Sequence, residues 1–216
     1  MLDVARSRYY AVDENTSAGL ATLVRDWPVS PCAEIARQEQ EEARTFAESL
    51  FAQGILTNST RDMDARRLPS VIPAREQLFD WNLSDIPKIG GADLARFASS
   101  AIRASFLLRF SSLGMIVNDV SARKGRLRRP KTELPVEREL AGIFRGLRTF
   151  AYSAPDRCLY DSLVLTYFLL AHHFSPTWVI GVKLQPFSAH SWVQDGPYVL
   201  NGTPDYVRQF TPILAV

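Results

Sequence analysis

Residues 158–174, CLYDSLVLTYFLLAHHF, constrain this chain more than any other stretch. Apolar side chains go round the whole circumference of the helix they would form. No face suits water, so the helix must be buried at the centre of its domain. The pattern then changes period. Residues 177–184 (TWVIGVKL), 190–194 (HSWVQ) and 198–201 (YVLN) alternate or are β-branched, with Asp195-Gly196 as a turn signal and residues 213–216 as a last short strand. Helices followed by an antiparallel sheet predict an α+β domain.

Upstream, residues 136–150 carry Val136, Leu140, Ile143, Phe144 and Leu147 in helical register. Residues 92–123 read as one long helix bent at Gly114. Its stripe comprises Leu94, Phe97, Ala98, Ala101 and Ile102, then Leu113, Ile116, Val117 and Val120. Arg123, Lys124, Arg126, Arg128, Arg129 and Lys131 place six positive charges in nine residues. That run reads first as a solvated linker and second as a dock for an acidic partner. Residues 59–90, broken by Pro69, Pro73, Pro87 and Gly90-Gly91, read as a connector on which Leu78, Phe79 and Trp81 dock.

The first 58 residues form a separate small module. Residues 2–5 and 8–12 are extended, and caps at Asn15-Thr16-Ser17 precede a helix over 18–27 that Pro28 ends. Further helical stretches occupy residues 31–40 and 42–53, and in the second Ala43, Phe46, Ala47, Leu50 and Phe51 recur at helical spacing. A core that size is marginal by itself. The domain plan is therefore 1–58, a linker over 59–90, and 91–216.

Composition sets limits on function. Of 216 residues 46% are apolar and 22% charged, and 25 basic against 23 acidic side chains leave a formal charge of +2. These values exclude disorder and argue against nucleic acid as partner. Cys32 and Cys158 are too few for a disulfide framework or a four-cysteine zinc site. No signal peptide is visible, and the nearest approach to a membrane span, residues 104–117, carries Arg109. The expectation is a cytoplasmic protein that engages no membrane.

Cys158 stands where chemistry is expected. With Ser153 or Asp156 as cap, it falls in or near the first turn of the buried helix, where unpaired N–H groups and the helix dipole favour a thiolate. Such a sulfur can attack a carbonyl, and neighbouring N–H groups can hold the oxyanion. It needs a base. His172 and His173 lie roughly 20 Å away at the other end of the same helix, so His190 is the candidate. A third group must accept the other ring proton. A two-residue Asp195-Gly196 loop sets Asn201 opposite His190, whereas a three-residue loop, favoured by the missing N–H of Pro197, sets Gly202 there. Asp205 is reachable only if the chain curls back.

Several ordered blocks carry a family resemblance. Cys158-Leu159, Ser162-Leu163, Ile180-Gly181-Val182, Gln185-Pro186-Phe187, Ala189-His190-Ser191-Trp192-Val193 and Val199-Leu200-Asn201 resemble the lasso-peptide maturation proteases, microcin-processing proteins of the transglutaminase-like superfamily. The resemblance covers residues 94–216. It implies a transglutaminase-like, papain-like cysteine protease domain with its nucleophile helix packed on the sheet, preceded by a winged-helix-like leader-recognition domain.

The resemblance further implies cleavage of the leader from a ribosomally made precursor, which frees the core amino terminus for an asparagine-synthetase-like cyclase. Cys158 would be nucleophile, His190 base, and Gln185 an aid to the oxyanion. The family's leader adds as a strand, with Arg8, Tyr9, Tyr10, Ala11 and Val12 as the docking edge and residues 42–56, Phe51 among them, as the groove wall. The hydrolysis itself needs no cofactor or metal, and nucleotide dependence stays open. This chain has Gly202 where many relatives have Asp, so the third role stays open among Asn201, Asp205 and water. The alternatives in function are a transglutaminase-like acyltransferase and a non-catalytic leader-binding chaperone with a degenerate site.

Overall fold

The computed structural model describes residues 2–3, 8–10, 12–24, 27, 37–53, 56, 71–78, 87–127, 134–152, 157–184 and 186–216. They fall into two compact units, residues 1–3 with 7–68, and residues 4–6 with 69–216. Cys32, Gln185, Ala11, Phe79, Trp81, Ser153 and Asp156 lie outside the described residues, as do positions 128–131 of the basic run.

In the first unit β1 (Leu2–Asp3) and β2 (Arg8–Tyr9) pair antiparallel, and α1 (Glu14–Leu23) packs on α2 (Arg37–Ala52). The cap of α1 is Asp13, ahead of the expected Asn15-Thr16-Ser17. Its Oδ1 accepts from Thr16 N at 2.8 Å and its Oδ2 from Thr16 Oγ1 at 2.6 Å. A carboxylate is the better acceptor and also suits the positive end of the helix. The two helices meet at Gly19 and Ala43, so closely that a Cβ on Gly19 would lie 2.4 Å from the Ala43 methyl.

The second unit holds α3 (Gly91–Phe110), α4 (Leu113–Arg126), α5 (Leu134–Ala151), α6 (Cys158–Ala171) and α7 (Pro204–Val207). Its sheet contains β3 (Glu76–Gln77), β4 (Thr177–Leu184), β5 (Phe187–Asp195), β6 (Tyr198–Val199) and β7 (Thr211–Ala215), in the order β3-β6-β5-β4-β7. All pairings are antiparallel except β3 with β6. This is the α+β arrangement that the change of period predicts. None of the described helices is long and apolar enough to cross a membrane.

The helix expected to be wholly buried is so: every residue of α6 from Asp161 to Leu170 is buried. Phe144 of α5 bridges Phe97 of α3 and Phe168 of α6, with ring centroids 5.6 and 5.8 Å away. Four expectations change. The long helix over 92–123 is two helices, broken at Ser111-Ser112, where Ser112 Oγ caps α4 by accepting from Met115 N at 3.4 Å. Leu94 and Ile102, expected in its buried stripe, are exposed, while Phe97, Ser100 and Ala104 face inward.

Residues 71–78, expected within a connector, supply the edge strand β3. The N–H groups of Arg75 and Glu76 donate to Pro197 O at 2.9 and 3.2 Å, and that of Leu78 to Val199 O at 3.0 Å. The turn before β6 is the fourth change. Gln194 faces Val199 and Asp195 faces Tyr198, so the loop is Gly196-Pro197 and not Asp195-Gly196. Gly196 takes φ +52°, and the ring-fixed φ of Pro197 suits the second turn position.

Part of the basic run is structural. Arg123 and Arg103 hold Asp119, which also accepts from Tyr167 OH at 2.7 Å, tying α3, α4 and α6 together. Lys124 Nζ donates to the carbonyls of Pro176 and Val216.

Candidate active site

Cys158 opens α6 as a free, half-buried cysteine. The residue before it, Arg157, caps the helix without a side-chain bond, and its carbonyl accepts from Asp161 N at 2.9 Å. The first three N–H groups of α6 have no intrahelical acceptor, as at any helix start.

The link between α6 and β5 follows from the shortness of β6. β5 runs for nine residues, but its ladder with β6 reaches only Gln194 and Asp195, extended by Leu200 N donating to Val193 O at 2.9 Å. Backbone groups earlier on that edge need other partners. Ser162 Oγ donates to Ser191 O at 2.8 Å, and Asn201 Oδ1 accepts from Val193 N at 2.8 Å. Two side chains thus complete the edge that β6 leaves open. Cys158 lies one turn before Ser162 on the same face of α6, and His190 precedes Ser191 on β5.

The imidazole of His190 sits among rings. Trp192 stacks at 6.1 Å between centroids, Tyr206 meets it edge-on at 4.9 Å, and Phe210 is tilted at 5.3 Å. Burial among them pulls the His190 pKa below the usual value, and the negative charge of Asp161 opposes that pull. Among the described residues no hydrogen bond joins His190 to Cys158.

Asn201 does not act as its place in the sequence predicts. Its amide oxygen is committed to Val193 N, while Nδ2 donates to Asp161 Oδ2 and Ser162 Oγ, both at 3.0 Å. The reason is the register: with the turn at Gly196-Pro197, Asn201 falls past Val193 instead of opposite His190. Asp205 lies on α7, exposed, and its carboxylate pairs with Arg208. His172 and His173 terminate α6, His172 beside Asp93 at 3.5 Å and against the Phe168 ring. They are far from Cys158, as helix length requires.

Sequence reading passes over Asp161. Its carboxylate is 3% exposed and accepts from Arg148 Nη1, Tyr152 OH and Asn201 Nδ2, each at 3.0 Å. The signal was present: one acid in the first turn of an otherwise apolar helix must be buried, and a buried carboxylate must be paired. Among the described residues no group of three or more His, Cys, Asp or Glu is arranged to hold a metal ion.

A buried helix that starts at a cysteine is tied to a strand that carries histidine. Residues 101–215 match the family model described as the transglutaminase-like superfamily, and the chain belongs to that superfamily. The superfamily includes cysteine peptidases, and the domain suits a peptidase or an acyltransferase. No match was found among curated proteins or among solved structures.

Proposed function

We propose that this protein is a cysteine peptidase that cuts the leader from a ribosomally made lasso-peptide precursor and leaves the core amino terminus free for a separate cyclase. The observation that supports the reading is the bond from Ser162, one turn after Cys158 on α6, to the carbonyl of Ser191, the neighbour of His190 on β5. In the reaction the Cys158 proton passes to His190 as sulfur attacks the scissile carbonyl. The protonated imidazole then returns it to the leaving amine, and water releases the acyl group from sulfur. Backbone N–H groups of the first α6 turn are the available oxyanion donors.

The leader is proposed to add as a strand to β2, along residues 8–12, with α2 as the wall. Tyr10 OH donates to Gln53 Oε1 at 2.8 Å, which fixes the end of that strand to the end of α2, and Phe51 is 46% exposed on the same helix. The cyclase is a proposed partner by resemblance alone.

The test is mass spectrometry of the full chain incubated with a candidate precursor peptide, sought among short neighbouring reading frames. Free leader plus free core supports hydrolysis, and Cys158→Ala should abolish both products. A product lighter by water or ammonia would instead show acyl transfer to an amine. Undiminished maturation in cells by Cys158→Ala, with the cyclase present, would reject the peptidase reading.

A further inference from the structure

We propose that the cleft between α3, α4 and the far end of α6 is a dock for an acidic peptide segment of a partner protein. This goes beyond the peptidase reading and does not depend on it, because the cleft lies away from Cys158. Tyr167 and Leu170, which line it, follow Cys158 on α6 by roughly 14 and 18 Å at 1.5 Å per residue.

Three observations carry it. The first is charge. The cleft holds about 360 Å³ and is lined by Arg103 of α3 and by Arg123 and Arg126 of α4, and among the described residues no acidic side chain lines it. The second is that two of these guanidinium groups are already held in place. Arg103 donates to Asp119 through Nε at 3.1 Å and through Nη2, and Arg123 donates through Nε at 3.2 Å. Both lie over the Tyr167 ring, 5.4 and 5.6 Å from its centroid, while Tyr167 OH donates to Asp119 at 2.7 Å. Groups fixed before binding lose little freedom when a ligand arrives. A guanidinium carries five N–H donors, so both keep donors for an incoming anion. One carboxylate against three cations leaves the cluster positive.

The third is arrangement, which selects a peptide over a compact anion. Arg103 and Arg123 share Asp119, and Arg126 stands about 4.5 Å further along the axis of α4 than Arg123. The cations therefore form a row, which suits carboxylates repeated along a chain and gripped by guanidinium forks. Between them Leu127, Leu170 and the Tyr167 ring supply an apolar base for the intervening side chains. Lys124 takes no part, since its Nζ is spent on the carbonyls of Pro176 and Val216.

The test uses the full chain and a short fluorescein-labelled peptide of alternating glutamate and leucine, followed by anisotropy, with the glutamine version as control. Binding should require the glutamates, weaken with added salt, and fall roughly threefold to tenfold in Arg126→Gln. The Arg126 side chain is exposed and makes no hydrogen bond among the described residues, so that variant should keep the fold. Arg109→Gln, which removes an exposed arginine of α3 outside the cleft, should bind as wild type does. Alkylation of Cys158 by iodoacetamide should be unchanged at saturating peptide. Absence of binding, equal binding of the glutamine peptide, or equal losses in the two variants would overturn the proposal. Inorganic phosphate that displaces the peptide at equal concentration would overturn it too, by assigning the cleft to a compact anion. So would protection of Cys158, which would place the peptide at the thiol instead.

Discussion

Ser162 Oγ lies 2.8 Å from the carbonyl oxygen of Ser191, a fully buried hydroxyl completing a strand edge beyond the short ladder with β6. The same oxygen accepts from Asn201. Ser162→Ala leaves a buried carbonyl and a buried amide donor each short of a partner, at a cost of about 1–3 kcal/mol. Urea unfolding should show that loss. Cleavage should fall as well, since α6 and β5 would lose their link next to Cys158 and His190. A stable variant with full activity would show that the link is incidental.

Asn201→Ala is expected to lower turnover more than Asp205→Ala. Asn201 joins Val193, Asp161 and Ser162, whereas Asp205 is exposed and paired only within its own turn. Exposed pairs of that kind contribute less than about 1 kcal/mol. Cleavage rates of the two variants, measured side by side, give the order; the reverse order would refute it.

Gly181 and Gly202 should respond oppositely to alanine. A Cβ at Gly181 would meet the Trp192 ring at 2.8 and 2.9 Å and the Phe210 Cβ at 3.0 Å. These are two of the rings that enclose His190. Gly181→Ala should therefore cost about 1–3 kcal/mol by overpacking and also reduce activity by displacing the rings. At Gly202 the nearest atoms are the methyls of Val199 and Val207, both at 3.6 Å, so Gly202→Ala should stay within about 0.5 kcal/mol of wild type. Paired denaturation curves test both.

Stability should depend on pH through Glu137. Buried on α5 and facing Asp195, its carboxyl is pushed from 4.5 up to about 8, first by burial and then by the neighbouring negative charge. The folded state thus holds a proton that the unfolded state has released between those two values. The contribution is complete below pH 4.5 and is lost as pH rises through about 8. Lys124, lowered by burial to about 8, acts in the opposite sense at higher pH. Its unfolded form binds the extra proton between about 8 and 10.5, so that term favours the fold as pH rises there. Glu137→Gln should flatten the fall between pH 5 and 8, read as melting temperature against pH. An unchanged slope would reject the assignment.

In the smaller unit, Gly19→Ala should separate α1 from α2. Its Cβ would come within 2.4 Å of the Ala43 methyl, itself on a buried helix position, and neither atom is the tip of a flexible side chain. Leader binding by the full chain, followed by fluorescence anisotropy of a labelled leader peptide, should weaken. Cysteine alkylation at Cys158 should stay unchanged. Loss of both would mean that the substitution damages more than this helix pair.

What the sequence by itself determined was set by local pattern. The all-round apolar run specified a buried α6, the amphipathic spacing of Leu140, Ile143, Phe144 and Leu147 specified the inner face of α5, and β-branched alternation specified β4 residue for residue. Cysteine at a helix start and histidine on a following strand were legible for the same reason. Tertiary structure alone decided what depends on partners distant in the chain. Residues 71–78 become an edge strand because Pro197 and Val199 present free carbonyls to them. Leu94 and Ile102 face outward because the inner side of α3 belongs to Phe97, Ser100 and Ala104. Asn201 turns to Asp161 because a turn placed at Gly196-Pro197 leaves it short of His190. Periodicity reports which face of an element is apolar, but a hydrogen bond between residues 40 positions apart follows only from the register and packing of the whole domain.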